Sequence, residues 1–171
     1  MHLHLLSVPR LELESGTAHV LERRDAVLLA WLALEGATPR ERVAQLVWPE
    51  SATLRAAKNN LRQRVFRLRK AIGRDVVVAD TVLRLAHDIR HDLDAIAVRL
   101  RDDPHACAGE LLGALDYDDC AELAQWVRAV RLRWRTTRRD TLDEIAGQFE
   151  GERHIAQALR YAKPRPRGAD L

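Results

Sequence analysis

The chain is 171 residues long, with 28 lysines and arginines, 25 aspartates and glutamates, and a formal net charge of +3. Its longest apolar run, Ala26 to Leu34, falls well short of the ~20 residues that cross a bilayer, and the start MHLHLLSVPR has no charged segment followed by a long apolar one; neither a membrane span nor a secretory signal is expected. The size suits one good core or two small ones. Cys107 and Cys120, with no CxxC spacing, read as free buried thiols in a reducing compartment, which points to the cytosol.

The first 22 residues alternate apolar and polar side chains around a Ser15-Gly16 turn, a pattern of two to four short antiparallel strands. From Arg23 to Glu35 the residues are helix formers, apolar nearly all round, and end at Gly36; this segment is expected to be the central buried helix. Thr38-Pro39-Arg40-Glu41 has the form of a capping box, with Thr38 and Glu41 exchanging hydrogen bonds and proline at the first helical position. That second helix is expected to stop at Pro49. A third helix, 51–72, is capped by Ser51 or Thr53 and ends at Gly73. Its apolar positions Leu54, Ala57, Leu61, Val65, Leu68 and Ile72 make one stripe at helical spacing. Val76 to Val78 and Val82 to Leu85 flank Asp80-Thr81 as a β-hairpin.

Beyond the hairpin the pattern is helical. Leu93, Ile96, Ala97 and Leu100 predict one helix and His105 to Leu115 a second. Cys120 to Phe149 predicts a long third or a broken pair, and Glu152 to Tyr161 a fourth. The last nine residues, KPRPRGADL, are rich in proline and arginine and read as a disordered tail.

Charge is placed rather than spread. From Ser51 to Arg74 there are eight bases and no acid, so the rest of the chain sums to −5. A basic helix on an otherwise acidic body is the footprint of a protein that docks on a polyanion. No acids interleave, so the helix gains no internal ion pairs and repels itself. Opposite the apolar stripe lie Asn59, Gln63, Phe66, Arg67 and Lys70, flanked by Asn60 and Arg64 on one side and Arg55, Arg62 and Arg69 on the other. Asn and Gln can pair with adenine and Arg with guanine in a major groove, and Phe66 can touch a thymine methyl. Asn59, Asn60, Gln63, Arg64, Phe66 and Arg67 are therefore the expected base readers. Arg55, Arg62, Arg69 and Lys70 are the expected phosphate contacts.

The stretches LLAWLALEG, TPRERVAQLVWPE and RAAKNNLRQRVFRLRKAIG resemble the OmpR-type winged-helix DNA-binding domain, in the variant of the Streptomyces antibiotic regulatory protein-like activators. The matching positions are Trp48, Pro49, Asn59, Asn60, Leu61, Arg62, Arg67, Leu68, Arg69 and Lys70. The resemblance implies an α+β fold: an N-terminal winged helix-turn-helix over 1–88, with a short antiparallel sheet, three helices and a C-terminal hairpin wing. It implies a recognition helix in the major groove of double-stranded DNA, a wing at the minor groove, a homodimer on repeated half-sites, and a bacterial cytoplasmic protein. Here the wing tip is Asp80-Thr81 with no glycine. A carboxylate there repels phosphate, so Thr81 and Arg84 remain as the wing contacts and its contribution is expected to be weak. The chain starts at the first strand with no receiver domain ahead, so control by aspartyl phosphate is not expected.

HDLDAI, GELLGAL, the Trp126 segment WVRAVRLRWRTTRRDTLDEIAG and HIAQALRYA resemble, more loosely, the bacterial transcriptional activator domain with its tetratricopeptide-like helix pairs. It would occupy 89–162 in shortened form, ahead of the tail at 163–171. A shortened helical array leaves an apolar face to cover, through a dimer or a longer parent chain. The second basic run, Arg128, Arg131, Arg133, Arg135, Arg138 and Arg139, reads as a solvated face or as partners of Asp116, Asp118, Asp119 and Glu122 in preference to a second DNA contact.

No metal or cofactor is expected. His87, Asp88, His91 and Asp92 chelate at this spacing only on a helix, and they fall where a strand ends and a linker begins. Asp116, Asp118 and Asp119 lack the glycine and glutamate of a calcium loop. There is no phosphate-cradling loop or nucleophile elbow, so no enzyme is expected. Trp31 and Trp48 read as core anchors. The expected function is a sequence-specific transcriptional regulator, an activator by its resemblance. The alternative is a protein-interaction adaptor that keeps the winged fold and binds a partner such as RNA polymerase.

Overall fold

Seven short strands and five helices make an α+β fold with two small sheets among the described residues. A computed structural model of the chain describes residues 1–162 apart from 104 and 106, with side chains as far as residue 155. The expected tail at 163–171 lies outside the described residues.

Strands β1 (His2–His4), β2 (Arg10–Glu12) and β3 (Ala18–Val20) pair antiparallel in order. Helix α1 (Arg23–Leu34) buries every residue from Asp25 to Ala30, and Leu32, as its all-round apolar sequence requires. It ends where Gly36 takes φ +77.

Thr38 corrects one expectation. Thr38–Pro39 is a strand, β4, and no capping box forms. Buried Thr38 accepts the Trp31 indole N–H at 3.0 Å and donates to the Gly36 carbonyl at 3.0 Å. Its hydroxyl is thus spent on a half-buried tryptophan that otherwise lacks an acceptor. Helix α2 (Arg40–Val47) starts without a side-chain cap, and Glu41 reaches Lys58 at 2.8 Å.

Helix α3 (Leu54–Ile72) starts as expected, with the Thr53 hydroxyl accepting from the Ala56 N–H at 3.1 Å. It ends on Gly73 in the left-handed region at φ +83. Ala57, Leu61, Leu68 and Ile72 are buried and Val65 packs against them, while Leu54 stays exposed. Strands β5 (Val77–Ala79) and β6 (Val82–Leu85) form the hairpin, and β4 pairs with the outer side of β6.

The chain after the hairpin departs further from the sequence reading. Arg90–His91 forms β7, parallel to β1, where a linker was expected. Helix α4 is Ile96–Asp102. The described residues between His105 and Leu115 form no helix. They run as a loop against β1's continuation, where the Leu112 N–H donates to the Leu5 carbonyl at 2.7 Å and the Ser7 N–H to the Glu110 carbonyl at 2.9 Å. Cys107 and Leu112 take positive φ, and a Cβ added at Gly113 would sit 1.8 Å from the Ser7 carbonyl oxygen. Helical geometry would break that contact. Gly113→Ala should therefore destabilise by roughly 2 kcal/mol, readable in urea denaturation, because either the loop or β1's continuation must move.

Helix α5 (Ala121–Ala162) is continuous, so the expected separate fourth helix is its end. It packs on α4 and on α2. The Trp126 ring lies 4.9 Å from that of Trp31, and the Tyr117 hydroxyl donates to the Arg23 carbonyl at 2.9 Å. One core runs from Leu3 to Ile145 through both halves of the chain. Both cysteines are free and buried. No helix of the described residues is long and apolar enough to cross a membrane.

Candidate nucleic-acid interface

α3 presents the largest concentration of uncompensated positive charge. Arg55, Arg62, Arg67 and Lys70 are exposed on it and make no ion pair among the described residues. Asn59, Gln63 and Phe66 are exposed beside them, Phe66 at 65%. Arg62 donates to the Asn59 side-chain oxygen at 3.3 Å, which orients both.

Two of the expected base readers are turned inward instead. The Arg64 guanidinium bonds Asp25 of α1 at 2.6 Å and Glu22 at 2.5 Å, and its side chain is only 17% exposed. Burial raises the Asp25 carboxyl above the usual range despite Arg64 beside it. The bond from Arg64 pulls the exposed Glu22 carboxyl below its usual range. Arg64 itself is held charged, the two carboxylates outweighing the burial that opposes its charge. Half-buried Asn60 donates to the Ser51 hydroxyl at 3.3 Å. Arg64 and Asn60 thus fasten α3 to its neighbours. Asn59, Gln63, Phe66 and Arg67 remain as the outward set.

The expected phosphate contacts divide in the same way. Arg55, Arg62 and Lys70 are open, whereas Arg69 pairs with Asp75 at 3.4 Å. Thr81 and Arg84 are exposed on the hairpin. Arg74, at the end of the basic run, is tied to Asp88.

Open troughs flank α3 on both sides. One holds Arg55, Lys58, Asn59 and Arg62 with Arg40 of α2, and passes Arg40 and Arg62 into a cleft between α3 and β5. The other holds Asn60, Gln63, Arg64 and Arg67 with Arg24 of α1. Arg24 stacks 5.5 Å above the Trp48 ring and bonds Glu50 at 2.6 Å. Arg24 and Arg40 were invisible to the sequence reading because they lie on other elements, outside the acid-free run, each close to a second arginine that pairs elsewhere. Only the packing of α1 and α2 brings them beside α3.

The chain matches no family model, and no significant match is found among curated proteins or solved structures. The site is therefore judged by its own geometry. In that second trough Arg24 and Arg64 are paired with carboxylates, and of its arginines Arg67 alone is open. A helix with a polar outer face, a basic trough on one flank and Arg67 toward the other suits a negatively charged ligand laid along it.

The second basic run is largely taken up by bonds within the chain. Arg131 donates to the carbonyls of Leu111 and Gly113, both at 2.9 Å. Arg128, Arg133, Arg135 and Arg139 pair with Asp118, Glu35, Glu110 and Asp140. Of the acids expected to receive this run, Asp118 does so, while Asp119 takes Arg23 and Glu122 takes Arg42. The segment weighed for metal is also structural in character. Asp88 holds Arg74, and Asp92 caps backbone N–H groups of Leu5 and Leu6. Among the described residues no group of three His, Cys, Asp or Glu side chains is placed to hold a metal ion.

Proposed function

We propose that the chain is a sequence-specific regulator of transcription that binds double-stranded DNA in the winged-helix manner, with α3 in the major groove and the β5–β6 hairpin toward the minor groove. The observation that carries this reading is the exposed Asn59, Gln63 and Arg67 face beside the trough that holds Arg40, Arg55 and Arg62, which make no ion pair among the described residues. A B-DNA major groove likewise sets base edges beside phosphate backbones. Its width accepts one α-helix. The resemblance to the antibiotic regulatory protein-like activators adds activation, a bacterial cytoplasmic setting and a homodimer on repeated half-sites, the last of which is tested below.

Selection of bound duplexes from a random pool tests the reading. One preferred motif is expected, repeated at helical-turn spacing if two copies bind. Affinity should fall steeply between about 50 and 200 mM salt as counterions are released. Arg67→Ala should cost about 1.5 kcal/mol on the preferred site and relax preference at one base pair. Failure of every duplex to bind at about 50 mM salt would sink the DNA reading. In that case the exposed Phe66 beside the α3–β5 cleft favours the adaptor reading, with RNA polymerase as the partner to try first.

A further inference from the structure

We infer that Arg40 of α2 is the cation that holds a DNA phosphate beside the hairpin, together with Arg62 of α3, in place of the hairpin's own side chains. The inference rests on the DNA reading above and adds a residue outside both the basic run and the hairpin.

The hairpin tip is poorly made for phosphate. Its two turn residues are Asp80 and Thr81, and the Asp80 carboxylate is exposed there. Arg40 lies directly behind that turn. Its backbone N–H donates to the Thr81 carbonyl at 3.0 Å, and its Nη2 donates to the Ala79 carbonyl at 3.1 Å. These two bonds grip the chain on both sides of Asp80. They also fix the guanidinium in one place, which removes most of the entropy a free arginine loses on binding.

The guanidinium has capacity left. Its Nε is enclosed and out of an incoming oxygen's reach, but the half-buried side chain lines both openings beside α3. Among the described residues no carboxylate forms an ion pair with it: Glu41 is held by Lys58 and Asp75 by Arg69, and the Asp80 carboxylate in the turn is exposed to solvent. Arg62, which makes no ion pair, borders the same two openings as Arg40. A backbone that leaves the trough along α3 for the hairpin passes between these two guanidiniums. An arginine fork suits a phosphate there better than a point charge does, because two N–H groups can meet two oxygens.

The test compares Arg40→Gln, Arg40→Ala and the unchanged chain on one duplex of mixed sequence about three helical turns long. Glutamine removes the charge and is two atoms too short for the Ala79 carbonyl, so in both variants the hairpin is held by the backbone bond to Thr81 alone. The expected result is that both variants lower the slope of log affinity against log salt by roughly 1, with the selected motif unchanged. Circular dichroism and urea denaturation should show that Arg40→Gln folds as the parent does. If the variants lose affinity but keep the parent's slope, Arg40 only shapes the hairpin and the inference falls, though DNA binding stands. If the unchanged chain binds no duplex, both fall.

Discussion

Asp92→Ala is expected to destabilise the protein by about 3 kcal/mol, a larger loss than any substitution on the outer face of α3 should produce. Asp92 is 3% exposed. Its Oδ2 accepts from the backbone N–H groups of Leu5 and Leu6, at 2.9 and 2.8 Å. Both of those residues are buried, so water cannot take over either bond. Here β1 gives out: Ser7 turns into positive φ and the chain leaves β2's ladder. The carboxylate closes that gap, and the Asp92 N–H in turn donates to the Leu3 carbonyl at 3.1 Å. Alanine would strand two buried donors, each worth about 1–3 kcal/mol. Asp92→Asn separates this cause from simple loss of charge. Its amide oxygen can receive both N–H groups, and Oδ1 of Asp92 makes no hydrogen bond that the new NH2 would replace. The Asn variant should therefore keep most of the stability. Urea midpoints for the three chains decide it: an Ala variant within about 0.5 kcal/mol of the parent removes the carboxylate from the account.

The same residue shows where sequence reading stops. HDIRHD looks like a charged linker because nothing local says that one of its acids will be buried against a strand 86 residues earlier in the chain. The parts that were legible are those whose cause is local. The period of α3's apolar stripe, the Thr53 cap, the left-handed Gly73 and the Val-rich hairpin all depend on neighbours within a few positions. Thr38 had a local signal as strong as Thr53's and was misread. Its hydroxyl is claimed by Trp31, which only the packing of α1 brings to it. Residues 105–115 carry helix formers, yet the loop is set by the close approach of Gly113 to Ser7. Gly147 and Gly151 lie beside the boundary expected between Phe149 and Glu152. They sit in open space on a continuous helix, where glycine weakens the helix without ending it. For the candidate interface the wheel gave the outward direction of Asn59, Gln63, Phe66 and Arg67, since period alone fixes which side faces away from the core. It could not show that Arg64, one step round, meets two carboxylates from α1's start.

Arg64 yields the second large effect. Arg64→Met should cost about 2 kcal/mol, because it leaves the Asp25 carboxylate buried and unpaired. The loss should depend on pH, and both carboxylates push it the same way. Asp25's folded pKa is raised, so its folded form takes up a proton more readily than the unfolded chain. Stability tied to Asp25 therefore grows as pH falls through that window, and more so once Arg64 is gone. Glu22's folded pKa is lowered, so the gain from its bond to Arg64 is present above the unfolded value and fades as pH falls. The variant gains from acid what the parent loses, and the gap between them should narrow from neutral toward acid pH. A gap that is constant or widens there contradicts the assignment. Arg64→Met combined with Asp25→Leu removes both charges and should recover most of the stability, since an apolar pair of similar volume needs no partner. The double variant also settles Arg64's role on DNA. If Arg64 only holds α3 in place, duplex selection with the double variant returns the parent's motif. A motif relaxed at one base pair, with stability restored, would mean that Arg64 leaves its carboxylates and reads a base itself.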